Sequence, residues 1–232
     1  MAFKRSVLRL WLRIRKLRRF ALVTVLAAGL ALGFDARHWL AGFDNFYYDA
    51  WYQIAGQRRE AKNVVIVSVD DETFVKLKDD PLAFWQPHFA QAMRVIDAAG
   101  AKVTGLDFVY ATSAETWLAR LKLPDNEISR TYDKPFREAL AAGNKVLVGH
   151  LIEASNGKVD LVLPPPEHYF LLARQLQDVG LANLYPDPDA IVRGFYPVQI
   201  MQEGVPGLGF STRMALYAAG LDPLARSWDV GG

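Results

Sequence analysis

Asp70 and Asp71 close the apolar run VVIVSV, Asp107 sits inside GLDFVY, and His150 lies in KVLVGHLIE. Each falls where a β-branched stretch gives way to polar sequence, the signature of a strand end. Carboxylates gathered at neighbouring strand ends could hold a cation or a cationic ligand, and their mutual repulsion would raise a pKa. The plainer alternative is that Asp70 or Asp71 caps the helix or turn that opens with DDETF. His150 reads first as a hydrogen-bonded strand-end histidine and second as a ligand. With no cysteine and four scattered histidines, thiolate chemistry and transition-metal sites are argued against, and no cofactor is expected. Neither GxSxG, HExxH nor a glycine-rich phosphate loop occurs, and GVPGLG follows no βαβ opening, so it reads as a turn. Asp107 follows Asp71 by 36 residues, too few for the strand and helix that a phosphoreceiver domain needs between its acids.

For these acids to share a crevice, the strands must be neighbours in one sheet. The spacing predicts strands at 64–69, 102–110 and 145–153, with helices over HFAQAMRVIDAAG and TYDKPFREALAAG, each closed by glycine. That alternation predicts an α/β fold with a largely parallel sheet flanked by helices. The remainder changes character. A short strand in KVDLVL stops at three prolines, a short helix falls near 170–177, VGLANL follows, IVRGFYPVQIM reads as a strand, and a last helix spans 209–219. This half predicts an antiparallel C-terminal extension of the sheet.

The N-terminus has a different physics. Residues 1–19 hold eight Lys or Arg and no acid, which leaves 19 basic and 25 acidic residues, a net of −6, for the rest. A folded part without a basic face predicts no nucleic-acid partner. Residues 20–34, FALVTVLAAGLALGF, are uncharged but cover only about 22 Å of a hydrocarbon core of about 30 Å. Snorkelling by Arg18 and Arg19 would extend the reach. The expected organisation is a basic cytoplasmic segment (1–19), a transmembrane anchor (20–34), a helical aromatic connector (35–62) and a folded domain (63–232). The positive-inside rule then places the N-terminus in the cytoplasm and everything after Phe34 outside. A cleaved signal peptide ending near Ala31-Leu32-Gly33 is the rival, and the length of the basic segment favours a retained anchor.

One resemblance unites these pieces. An aspartate-bearing aromatic helix (Asp44 to Asp49), VVIVSVDDETF, FWQPHFA, AGAKVTGLDFVY and GLANLYPDPDAIVRGFYPV follow in that order. The chain resembles the CHASE2 domain, an extracytoplasmic sensory module of bacterial membrane receptors. The resemblance implies an input domain for an adenylate or guanylate cyclase or a protein kinase, and no catalytic domain in this chain. It adds Asn183, Asp187, Asp189 and Arg193 to Asp70, Asp71, Asp107 and His150 as candidate ligand-binding residues. Gln86, Ala190 and Gly194 depart from the family pattern, which leaves its ligand open. The expected partners are the membrane, a small molecule and a second copy in a homodimer. The alternative is an anchored protein-interaction module that uses exposed aromatics such as Tyr47, Tyr48, Trp51 and Tyr52.

Overall fold

The structure is a computed structural model that describes residues 2–36, 41–58, 60–110, 112–122, 131–153, 157–200, 206–225 and 227–228. The chain divides into two units, 1–68 and 69–232.

In the first unit, α1 (Ala2–Ala36) is one continuous helix that carries both the basic segment and the uncharged stretch. From Phe20 to Leu32 the apolar side chains of that stretch are exposed, Phe20 and Val25 among them. Among the described residues, no helix is long and apolar enough to cross a membrane. The physical reason is length, because the uncharged run is bounded by Arg19 and Asp35. The aromatic connector forms α2 (Ala41–Ala55). Residues 64–69, expected as the first strand, join no ladder among the described residues. Val65 and Ile66 are 87% exposed. β-branched residues favour an extended backbone, but a strand needs a partner to take its N–H and C=O groups, and local sequence supplies none.

The second unit is mixed α/β. Its helices are α3 (Asp71–Lys76), α4 (Gln86–Ala98), α5 (Ala114–Arg120), α6 (Lys134–Ala141), α7 (Pro166–Tyr169) and α8 (Phe210–Ala219). Pro87 and Pro135 sit in the first turns of α4 and α6, where the missing N–H costs nothing. Gly220 stops α8 at φ 69°, a left-handed conformation that suits glycine.

The sheet is small and mixed rather than largely parallel. Its axis is β2 (Lys145–Glu153), which matches the expected bounds. β1 (Thr104–Leu106) and β4 (Val179–Leu181) pair with it in parallel. β3 (Val159–Val162) pairs antiparallel, with His150 opposite Val162. β5 (Val198–Ile200) and β6 (Pro206–Leu208) make a separate antiparallel pair, joined to β4 by one bridge between Leu181 and Gly209. The long strand expected over 191–201 is thus confined to its end. Its earlier residues spend their hydrogen bonds on a local loop described below.

The core lies between α4, α6 and β2, where Trp85, Phe89, Met93, Phe136, Leu140 and Leu147 are buried. α4 packs on α6, and α8 lies across β1, β2 and β4. Lys145 is 1% exposed in its side chain, yet it sits at the start of the central strand. Its ammonium donates to both Asp97 oxygens at 2.9 and 2.8 Å, to the Gly143 carbonyl at 3.3 Å and to Asn144 Oδ1. That set satisfies a buried charge and ties the end of α4 to β2.

Phe136 is fully enclosed, so Phe136→Ala is expected to cost about 3–5 kcal/mol through lost burial and a residual cavity. The midpoint of urea unfolding measures it, and an unchanged midpoint would contradict this placement of the core.

Candidate functional site

Asp70 is the N-cap of α3. Its Oδ1 accepts from Thr73 N at 2.9 Å and Thr73 Oγ1 at 2.7 Å, and its own N–H reaches Thr73 Oγ1 at 3.5 Å. A capping box of this kind satisfies two otherwise orphaned donors. Those Thr73 bonds hold the Asp70 carboxyl below the ordinary aspartate range. Asp71 opens the first turn of α3, exposed. Asp107 is exposed one residue past β1. Among the described residues, the side chains of Asp70, Asp71 and Asp107 share no hydrogen bond or ion pair with one another, nor with the other candidate residues. No group of three His, Asp or Glu among the described residues could hold a metal ion.

The later candidates do come together. Asn183 lies two residues past β4, and its side chain imitates the backbone. Its Oδ1 accepts from Leu151 N at 2.8 Å and its Nδ2 donates to the Leu151 carbonyl at 2.8 Å. With Ala182 N donating to the Gly149 carbonyl, this extends the β2–β4 ladder beside His150. His150 itself is half-buried. Downstream, Arg193 clamps two carboxylates. Nη1 donates to Asp187 Oδ2 at 2.8 Å and to Asp189 Oδ1 at 2.9 Å, and Nη2 donates to Asp189 Oδ2 at 2.7 Å. The loop they close also has Asp187 N donating to the Ile191 carbonyl and Ala190 N donating to the Asp187 carbonyl. Ala190 takes φ 64°, a left-handed turn position that glycine would fill without strain. The fork that Arg193 offers is largely taken up by these two acids, so the loop is first a self-contained structure.

A buried polar cluster was not legible beforehand. His168, in α7, is fully buried, and neither ring nitrogen has a hydrogen-bond partner among the described residues. Asp133 Oδ2 lies 3.9 Å from His168 Nε2, while Asp133 Oδ1 takes Arg137 Nε at 3.1 Å. The Tyr110 ring meets the His168 ring edge-on at 6.0 Å, and its hydroxyl is also unpartnered. Burial pushes the Tyr110 phenol far above its ordinary range. Nothing in PPPEHYF or RTYDKPF distinguishes these residues from turn and helix-start chemistry, so only packing reveals them. In the first unit, Trp51, Tyr52, Ala55, Gly56 and Arg58 line a hollow of about 180 Å³, with Arg58 5.9 Å from the Trp51 ring. That is below the volume of ordinary ligand pockets.

The CHASE2 domain family model matches residues 21–227. The chain belongs to the CHASE2 family. CHASE2 domains are extracellular sensory domains, and no catalytic domain is shown here. No curated protein and no solved structure matched. In this CHASE2 domain, Asn183 completes a strand ladder and the Asp187–Asp189–Arg193 triad shapes the loop that follows.

The bond from Arg193 holds the Asp189 carboxyl below its ordinary value of 3.8. A lowered carboxyl pKa means that the clamp contributes fully above that ordinary value and is lost as pH falls through the lowered one. Carbon-detected NMR titration is expected to place the Asp189 midpoint below 3.8, and Arg193→Gln to return it toward 3.8. Equal midpoints in the two proteins would show that the clamp does not form.

Proposed function

We propose that this CHASE2 domain is the extracytoplasmic input domain of a bacterial transmembrane receptor, anchored in the inner membrane through α1. Its output would be an adenylate or guanylate cyclase or a protein kinase outside residues 1–232. The observation that carries the reading is the family match over 21–227, which spans nearly the whole folded part. The charge pattern supports it. Eight basic residues precede the uncharged stretch of α1, and that stretch exposes its apolar side chains. Such a segment suits an anionic cytoplasmic leaflet followed by hydrocarbon. The short apolar length is made up by Arg18 and Arg19 snorkelling to the headgroups.

Ligand sensing would centre on the loop that leaves β4, with Asn183, Asp187, Asp189 and Arg193, and would include His150 next to the Asn183–Leu151 pairing. Asp70, Asp71 and Asp107 would contribute from their own loops. A ligand transmits a signal only through different affinities for two states. A loop whose geometry rests on one arginine clamp offers two such states, clamped and released. The second reading, an anchored periplasmic interaction module, is favoured by the aromatic residues of α2. Phe43, Tyr47, Trp51 and Ile54 are all exposed. A homodimer is compatible with either reading.

Reporter fusions after Trp228 test the placement. An export-dependent phosphatase is expected to be active there, and a cytoplasm-dependent reporter inactive. The reverse pattern would sink the receptor reading. A metabolite screen by thermal unfolding separates the two functions. A saturating small ligand at about 100 times its Kd adds roughly 2.7 kcal/mol, whereas the interaction module shows no shift.

A further inference from the structure

We propose that Arg174 and Arg213 form an oxyanion-binding site beside the start of β4, suited to a phosphate or carboxylate group. It shares no hydrogen bond with the Asp187–Asp189–Arg193 loop among the described residues and stands whether or not the domain signals.

Asp178, the residue before β4, is fully buried, and Arg174 takes up both of its carboxylate oxygens. Oδ1 accepts from Arg174 Nε at 2.8 Å and Oδ2 from Arg174 N at 2.8 Å. The Arg174 guanidinium also lies 4.3 Å from the Tyr217 ring centroid and donates Nη1 to the Leu221 carbonyl at 3.3 Å. This fixes the group on three sides. Its remaining nitrogen, Nη2, is buried without a partner.

Arg213 is brought to the same place by a glycine. A Cβ on Gly180 would lie 2.5 Å from the Phe210 Cα and 3.0 Å from Arg213 Cγ, so only glycine lets α8 lie this close to β4. The Arg213 stem therefore rests on the strand, one turn into the helix. Nε and Nη1 of Arg213 are buried and unpartnered, though the residue as a whole is only half-buried and so reachable from solvent. Burial pushes the guanidinium below its ordinary value, with the Asp178 charge opposing that shift and the Arg174 charge adding to it.

The Asp178 carboxylate is bonded to Arg174, and Arg213 feels its charge while its Nε and Nη1 find no acceptor. Three buried N–H-bearing nitrogens remain without acceptors, which is costly for charged donors. A second anion would supply the missing charge and the missing acceptors. Planar guanidinium forks suit oxyanions, which accept two parallel hydrogen bonds. The sequence holds no hint of the pair, since 39 positions separate the two arginines.

The test uses the full chain in non-ionic detergent, with inorganic phosphate and acetate as probes and chloride matching the ionic strength. At ten times its Kd, phosphate is expected to raise Tm by about 3–6 °C over the chloride control. An acetate shift of equal size assigns the site to carboxylates, and a phosphate-only shift assigns it to phosphates. Arg213→Gln is expected to weaken the effective anion at least tenfold, and Arg120→Gln, at the exposed end of α5, to leave it unchanged. Should Arg213→Gln fail to fold, Arg213→Lys carries the same expectation, because a point charge cannot replace the fork. The proposal is overturned if neither probe shifts Tm at 50 mM, if the folded Arg213 variant keeps wild-type affinity, or if Arg120→Gln abolishes binding as well. The reporter fusions can fail independently, so the two ideas fall separately.

Discussion

The folded unit depends on one strand finding partners along its whole length. β2 pairs with β1 over its first three residues, with β4 over the next, and with β3 at its end. Five consecutive residues, Lys145 to Gly149, are buried, so every backbone group there must be bonded within the protein. The short neighbours are strands only where β2 offers a register. This explains why β1 and β4 span three residues each, although longer apolar runs surround them. α8 covers the same sheet, and the close approach at Gly180 carries Arg213 with it.

Charge inside this unit is handled in two ways. Lys145 is buried but fully served by Asp97, Gly143 and Asn144, an arrangement that stabilises the joint between α4 and β2. Nε and Nη1 of Arg213, the ring nitrogens of His168 and the hydroxyl of Tyr110 are buried without such service. Groups left in that condition lower local stability, and regions of low local stability are where a sensory domain can change shape. The acids conspicuous in the sequence are the opposite case. Asp70 is consumed by a helix cap, and Asp187 and Asp189 by Arg193.

Several of the residues through which the sequence resembles CHASE2 do structural work. Asn183 imitates a backbone unit, Arg193 holds a loop, and the Asp70 carboxylate starts a helix. A residue pattern of this kind specifies a fold efficiently, because each member satisfies hydrogen bonds that the backbone cannot satisfy alone. It says less about what the domain binds, and the departures at Gln86 and Ala190 fall within these structural roles. Gln86 is buried, with its Nε2 donating to the Ala83 carbonyl, and Ala190 occupies the left-handed turn of the clamped loop.

What the sequence by itself determined is local and periodic. The helices at 86–98, 134–141 and 210–219, the full extent of β2, the aromatic helix α2 and the cap at Asp70 all follow from apolar spacing, proline and glycine placement, and side chains that bond within four residues. The family was legible too, because the order of short blocks survives without knowledge of their contacts. Tertiary structure alone decided which apolar runs became strands. Residues 64–69 read as the first strand of the sheet and yet join no ladder among the described residues. Strand formation depends on hydrogen bonds to a partner distant in sequence, and the propensity of valine and isoleucine is silent about that partner. The same reason hid Arg174 with Arg213, and Asp133 with His168. Their chemistry arises from distance in space, which burial and close packing set and no local pattern records.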